Sequence, residues 1–489
     1  MTESTTGTQH ASGPRDLEAA TYTVAFSDKS NRKAKINARI PLHGGTIMMY
    51  PEGAENFQYQ WATFVKGLSA KLPNGKSFRP EYLGNAQWKI PPPIPQYVDL
   101  DYEVAIEHDL SPGKWKFGYK QAAFARSNYV FCTGKALFIG THELKDIMVQ
   151  FDVPSDWRVL TGWNSLLGKL NSFFLEGVRE LTEVAIVVGR PLERLVVVDG
   201  LEVTFAVGNE MASSLDLMAT NSGRFVMAAT KFFAGAPSSK MLIVADSDSA
   251  YVGGGEAFTR SVCLVFNQPP SKIDNASWEH IVNHEILHLW IGNSIRFPDQ
   301  EQEYWFSEGF TDYLTNILQA NLGYIDEDEL LRRLASHYEK YALHAGHISP
   351  REAGNDKAGH YDLVYSGGLI IAFALDIEIR KRTHFERGIR ELLREMYLRF
   401  GTTRLRFTSD DVENLAGVVV GSDMNEFFKR YVHGTELISL EQYAGVVGIG
   451  VQRGLASDKH KVELTRERAS SEEVARYRKW IGPQPAAAT

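Results

Sequence analysis

The chain has 489 residues, of which 44% are apolar and 23% charged, and a formal net charge of −8. At roughly 150 residues per domain this length predicts about three domains, and 26 Phe, 20 Tyr and 9 Trp exclude wholesale disorder. The acidic balance argues against a nucleic-acid partner, the lone Cys132 and Cys263 exclude a disulfide scaffold or thiolate metal site, and no apolar run is long enough to span a membrane.

Residues 1–20 are small and polar and lack the basic-then-apolar order of a secretory leader, so a disordered tail and a cytoplasmic location are expected. From Tyr22 the runs YTVAF, KINARI, VDLDYEVAIEH and MVQFDVP alternate with period two and predict strands. The prolines at 91–93 and 95 predict an extended connector. EVAIVVG, RLVVVDG and EVTFAV carry the β pattern to Val207, which makes residues 21–207 one β-rich, sandwich-like domain.

Beyond Gly208 the pattern turns helical. A helix is expected over 224–234, a buried strand at KMLIVAD and one further strand at EAFTRSVCLVF. Helices follow over 277–292, with Asp274 or Ser277 as cap, and over 304–319, 326–341 and the strongly apolar 365–382, continuing to about Tyr431. The acidic run at 299–303 reads as solvated. The expected fold class is α+β, with a catalytic domain at 208–440 that changes near residue 322 from a mixed part to a helical bundle. Residues 441–489 are expected to form a tail with one alternating piece (KVELTRER) and one short charged helix (SEEVARYRKW).

The chemistry sits in Asn283-His284-Glu285-Ile286-Leu287-His288-Leu289-Trp290. Residues four apart share a helix face, so His284 and His288 can address one ion, while Glu285 lies beside it as a general base for an attacking water. By chance this pattern arises in on the order of one such chain in fifty. The stretch Trp305-Phe306-Ser307-Glu308-Gly309-Phe310-Thr311-Asp312-Tyr313 follows twenty residues on. A catalytic zinc takes three protein ligands, and Glu308 is the natural third. Asp312, one turn later, is placed to accept the second N–H of a ligating histidine. His280, one turn before His284, reads as a satisfied or exposed histidine rather than a fourth ligand.

These blocks resemble the gluzincin metallopeptidases, and within them the glycyl aminopeptidase family, PDZ-containing relatives of aminopeptidase N. The resemblance implies a β-sandwich-like N-terminal domain, a thermolysin-like part at about 208–322 and a helical part at about 323–440. It also implies one zinc ion per chain on His284, His288 and Glu308. The family's Gly-Gly-Leu-Glu element corresponds to Gly253-Gly254-Gly255-Glu256, so Glu256, with Gly254 and Gly255, is expected to receive the free amino group of a peptide substrate. Ala257 stands where the family carries a polar residue. The family's Tyr-x-Lys-Gly motif corresponds to Tyr365-Ser366-Gly367-Gly368, which makes Tyr365, in preference to Tyr361 four residues earlier, the expected oxyanion donor, with Gly367 in place of the lysine. Only 46 residues follow Tyr443, too few for the family's PDZ domain, so the tail is expected in its place. The function expected is that of a zinc aminopeptidase acting on small first residues such as Gly or Ala. A zinc endopeptidase and an inactive scaffold are the alternatives, and the oligomeric state is left open.

Overall fold

A computed structural model of the chain describes residues 19–27, 30–54, 57–106, 121–247, 253–298, 303–454, 460–466 and 470–482. The tail expected at 1–20 falls almost wholly outside these residues, as does the acidic run from 299 to 302. The chain divides into two compact units, Met1–Leu192 and Glu193–Thr489.

The first unit is built from β-sheets. Its largest sheet has seven strands in the order Ser172–Gly177, Lys145–Asp152, Thr21–Ser27, Ser30–Pro41, Tyr97–Ala105, Val65–Lys71 and Ser77–Phe78. Along Tyr97–Ala105 every second residue is buried, the alternation of a strand with one face on a core. A second sheet of four strands contains Tyr129–Thr133 and Ala185–Gly189, whose residues are all buried. Val24, Ile36, Tyr102 and Val149 from the first sheet share one core with Val130, Cys132, Ile186 and Val188 from the second. Tyr22 and Tyr102 keep their hydroxyls satisfied within that core by donating to the carbonyls of Ile139 (2.9 Å) and Leu137 (3.0 Å). This is the sandwich-like arrangement expected from the alternation.

The second unit starts at Glu193, not after Val207. Alternation marks a strand but not its partner, and Leu201–Val207 pairs in parallel with Lys240–Ser247. The sheet order is Leu192–Val198, Leu201–Val207, Lys240–Ser247, Ser261–Phe266, Gly254–Phe258. The segment expected as one strand is thus a hairpin: Gly254–Phe258 folds back antiparallel on Ser261–Phe266, with Glu256 opposite Cys263, and forms the sheet edge.

The helix Asn275–Leu287 follows, capped by Asp274, whose side chain accepts from the Ser277 amide at 3.2 Å. Its apolar stripe of Trp278, Val282 and Ile286 is fully buried, leaving the stripe of His280, His284 and His288 for another purpose. The helix Tyr304–Leu322 is buried from Trp305 to Ala320. It crosses the helix Gly368–Arg382 backbone to backbone at two glycines. A Cβ on Gly309 would stand 2.3 Å from Gly368 Cα, and one on Gly368 would stand 2.2 Å from the Trp305 carbonyl oxygen. Only glycine permits that approach, and it brings Tyr365, on the π-helical turn Leu363–Gly367, beside the acidic residues of the crossing helix.

The C-terminal segment is no loose appendage. The hairpin Ile449–Arg453/Val462–Arg466 and the helix Ser471–Ile481 belong to the same core, where Trp480 is buried and donates to the Tyr313 hydroxyl at 2.8 Å. The described residues of 441–482 thus pack into the second unit, a correction to the separate tail expected at 441–489.

Candidate metal centre

His284 and His288 leave one face of the helix Asn275–Leu287, His288 still in helical register at its C-cap. Glu308 comes from the helix Tyr304–Leu322. The three side chains each offer one donor atom within 4.8 Å of the others, the group with metal-ligand chemistry found among the described residues. Their side chains are only 11, 13 and 7% exposed, so bulk water is largely kept away.

The hydrogen bonds fix the ring orientations. His284 Nδ1 lies 2.9 Å from Asp312 Oδ1, and His288 Nδ1 lies 3.0 Å from the Ile291 carbonyl oxygen. Both partners only accept, so both Nδ1 atoms carry a proton, and in the neutral rings both Nε2 atoms present lone pairs. Those two Nε2 atoms are 2.9 Å apart and lie 3.3 and 3.2 Å from Glu308 Oε2, itself a buried oxygen without a hydrogen-bond donor. Three converging lone pairs repel one another unless a proton or a metal cation lies among them. Tetrahedral bonds of about 2.0–2.1 Å place ligand atoms about 3.3 Å apart, so the donors fit a zinc-sized ion.

The electrostatics draw positive charge to this point. Burial alone would lower the His284 imidazole, but the charge and hydrogen bond of Asp312, with Glu308 and Glu285, push it up to about 10. Burial likewise works against ionised Glu308 and Asp312, yet both carboxyls are held well below the usual range. Lys357, His288 and His284 do this for Glu308, and His284 and His280 for Asp312.

The remaining expected residues surround this group. Glu285 lies across the edge strand Gly254–Phe258, where a Cβ on Gly255 would meet Glu285 Cγ at 2.2 Å, so only glycine leaves the carboxylate its place. Glu256 sits one residue further along that strand, partly buried, two residues after Gly254. The Tyr365 ring stacks on His284 with centroids 6.3 Å apart, and Tyr361, 55% exposed, stacks outside it at 4.2 Å. Burial, then the charges of Glu308, Tyr361, Glu285 and Asp312, hold the Tyr365 hydroxyl far above its ordinary value, so it stays protonated and able to donate.

Two features escaped sequence reasoning. Lys357 donates to Glu308 Oε1 at 2.6 Å and lies over the rings of Tyr304 and Tyr365 (4.7 and 5.2 Å). It arrives from a turn 49 residues after Glu308 with no motif to announce it. Glu303, expected among solvated acids, is 1% exposed and accepts from Trp305 Nε1 (2.6 Å) and the Ser409 amide (3.0 Å). It fastens the start of the helix that carries Glu308.

Comparison with known proteins bears on the same regions. Residues 225–431 match the Peptidase family M1 domain, and residues 21–190 match the Peptidase M61 N-terminal domain. No curated protein sequence matches the chain. Among solved structures, an aminopeptidase N family protein from Idiomarina loihiensis superposes with a TM-score of 0.75 at 18% identity, covering 93% of this chain and 82% of that one. An M1 zinc metallopeptidase from Deinococcus radiodurans gives a TM-score of 0.60 at 13% identity, over 87% of this chain and 95% of that one. A mutant of the latter, bound to Tyr-Ser-Ala substrate, gives 0.59 at 13% identity over the same shares. These likenesses share the fold, a β-rich front followed by a mixed and helical catalytic unit. No helix among the described residues is long and apolar enough to cross a membrane. The chain thus carries an M61-type N-terminal domain ahead of an M1 peptidase domain, the domain make-up of a metallopeptidase, and is similar to the glycyl aminopeptidases.

Proposed function

We propose that the protein is a zinc aminopeptidase that hydrolyses the first peptide bond of substrates with a free N-terminus. The observation that carries this reading is the convergence of two imidazole lone pairs and one carboxylate oxygen at 2.9–3.3 Å, with a carboxylate one residue round the helix. His284, His288 and Glu308 would hold one zinc ion, which supplies Lewis-acid polarisation of the scissile carbonyl and a water of lowered pKa. Glu285 takes a proton from the attacking water as its oxygen bonds to the carbonyl carbon. It then delivers that proton to the leaving nitrogen as the C–N bond breaks. The Tyr365 hydroxyl donates to the developing oxyanion. Asp312 holds the His284 tautomer.

The strand Gly254–Phe258 lies at the edge of its sheet, and an extended peptide can lie along it. Glu256 on that strand suits the substrate ammonium, which restricts cleavage to the first residue; Gly or Ala is the proposed first residue. The test is metal analysis with a panel of aminoacyl p-nitroanilides, with and without chelator. One zinc per chain and chelator-sensitive release from free-amine substrates is the expected result. Equal cleavage of an N-acetylated peptide would turn the reading to an endopeptidase, and metal without any cleavage would leave a scaffold.

A further inference from the structure

Asp312, the residue that orients His284, is itself held by a chain of groups reaching to a third helix. The same oxygen that faces His284 Nδ1, Asp312 Oδ1, also lies 3.2 Å from His280 Nε2. The other nitrogen of His280, Nδ1, is 3.1 Å from Nη1 of Arg333, on the helix Glu327–His344. A guanidinium only donates, so His280 Nδ1 carries the lone pair and Nε2 carries the proton that goes to Asp312. The tautomer of His280 is therefore set by the arginine, and that of His284 by Asp312.

Arg333 is itself tightly fixed. Its Nη1 also approaches Asn316 Oδ1 at 3.1 Å and Gln319 Oε1 at 3.0 Å, and its Nε donates to Glu329 Oε1 at 2.6 Å. Asp312, Asn316 and Gln319 recur at four and three residues on the buried ligand helix, a polar stripe that an all-apolar packing face would not carry. Asn316 also donates to the Asp312 carbonyl at 2.9 Å. The Arg333 side chain is only 13% exposed, and an arginine so enclosed is tolerated because each of these acceptors answers it.

We propose that Arg333 and His280 are positioning residues of the metal centre: Arg333 fixes the His280 tautomer, His280 fixes the Asp312 carboxylate, and Asp312 aims His284 at the ion. The proposal rests on the metallopeptidase reading but not on the substrate. Orienting partners of metal ligands commonly contribute about 10–100-fold in affinity, and this relay places such a contribution one and two residues further out.

The test uses the full chain and measures affinity for Zn²⁺ by chelator competition, with the visible spectrum of the Co²⁺-loaded protein as a second readout. His280→Phe, which can neither donate to Asp312 nor accept from Arg333, is expected to lose about tenfold or more in affinity and to alter the Co²⁺ bands. His280→Gln, whose amide can do both, is expected to recover most of that loss. Arg333→Met is expected to weaken binding less than His280→Phe does. Arg332→Met, at a neighbouring arginine with 69% side-chain exposure, is expected to leave affinity unchanged. Wild-type affinity in His280→Phe would overturn the proposal, as would an equal loss in Arg332→Met or no recovery in His280→Gln. Wild-type protein that binds no zinc would sink the metallopeptidase reading together with the relay. Zinc bound without peptide cleavage would sink only the aminopeptidase reading.

Discussion

His284 and His288 leave the same helix one turn apart and aim at the same point, yet two different regions of the molecule hold them. His284 is oriented by a side chain from another helix, Asp312 at 2.9 Å, and through it by His280. His288 is oriented by backbone, the Ile291 carbonyl at 3.0 Å in the turn that follows its own helix. A carboxylate adds charge and raises the basicity of its imidazole, as the upward push on His284 shows. A carbonyl adds only direction. One arm of the site is therefore tuned by chemistry, and the other is fixed by the path of the chain.

The largest expected effect touches neither arm. Glu285→Gln should bind zinc as tightly as the wild type and lose turnover by about 10²–10⁴-fold, the range for removal of a general base. Steady-state kinetics alongside metal analysis checks this. Loss of metal in this variant would mean that Glu285 is part of the holding apparatus, and the two-arm description would then be incomplete. Next in size, Asp312→Asn should break the charged arm alone. Zinc affinity is expected to fall about 10–100-fold by chelator competition, while the His288 arm stays in place. An unchanged affinity would make the two arms equivalent after all.

A third histidine extends the contrast. His337 lies on the helix Glu327–His344 with Nδ1 3.0 Å from the Ser366 hydroxyl, one residue past Tyr365. Here burial dominates and pushes the imidazole down to about 4, where carboxylates push His284 the other way. Its folded pKa lies below the ordinary value near 6.5, so the unfolded chain binds the extra proton between the two. Stability from this group is complete above about pH 6.5 and is lost as pH falls toward 4, by up to about 3 kcal/mol. Denaturant titrations of chelated protein at pH 7 and 4.5 check the sign. His337→Gln should lose clearly less stability between the two pH values than the wild type, and equal losses would remove His337 from the account.

How much of this was legible in the sequence depends on whether partners share one element. His284, Glu285 and His288 are read together because helical spacing alone brings them to one site, and the same holds for Glu308 with Asp312. The alternation of Tyr97–Ala105 likewise exposes one buried face directly. What needs a partner from elsewhere was hidden. The strand Leu201–Val207 looks like those before it, and only its pairing with Lys240–Ser247 assigns it to the second unit. Glu303 sits in an acidic run that reads as solvated, yet Trp305 and Ser409 enclose it. His280 carried a signal, its place one turn before His284, but its role depends on Arg333, 53 residues away. Gly309 and Gly368 lie in separate segments, and neither segment announces that the two backbones touch.

The backbone arm has no side chain to remove, so it must be tested through the turn itself. Gly292, next to the carbonyl that holds His288, adopts φ of +104°, and its amide donates to Ile295 at 2.9 Å. A Cβ there would meet His288 Nδ1 at 3.4 Å, which is contact without a clash, so space is not what forbids a side chain. The cost lies in the dihedral, about 1–2 kcal/mol for a non-glycine residue held at that angle. Gly292→Ala should therefore lower the thermal midpoint modestly. Part of the strain can instead be relieved by rotating the turn and with it the Ile291 carbonyl, and zinc affinity should then drop by only a few-fold, less than in Asp312→Asn. If Gly292→Ala weakened zinc more than Asp312→Asn did, the backbone arm would be the dominant one. If it lost stability with affinity untouched, the turn would be a structural corner and the Ile291 carbonyl a passive neighbour. Because the alanine adds no charge and removes no hydrogen-bonding group, either result reads the geometry of the turn alone.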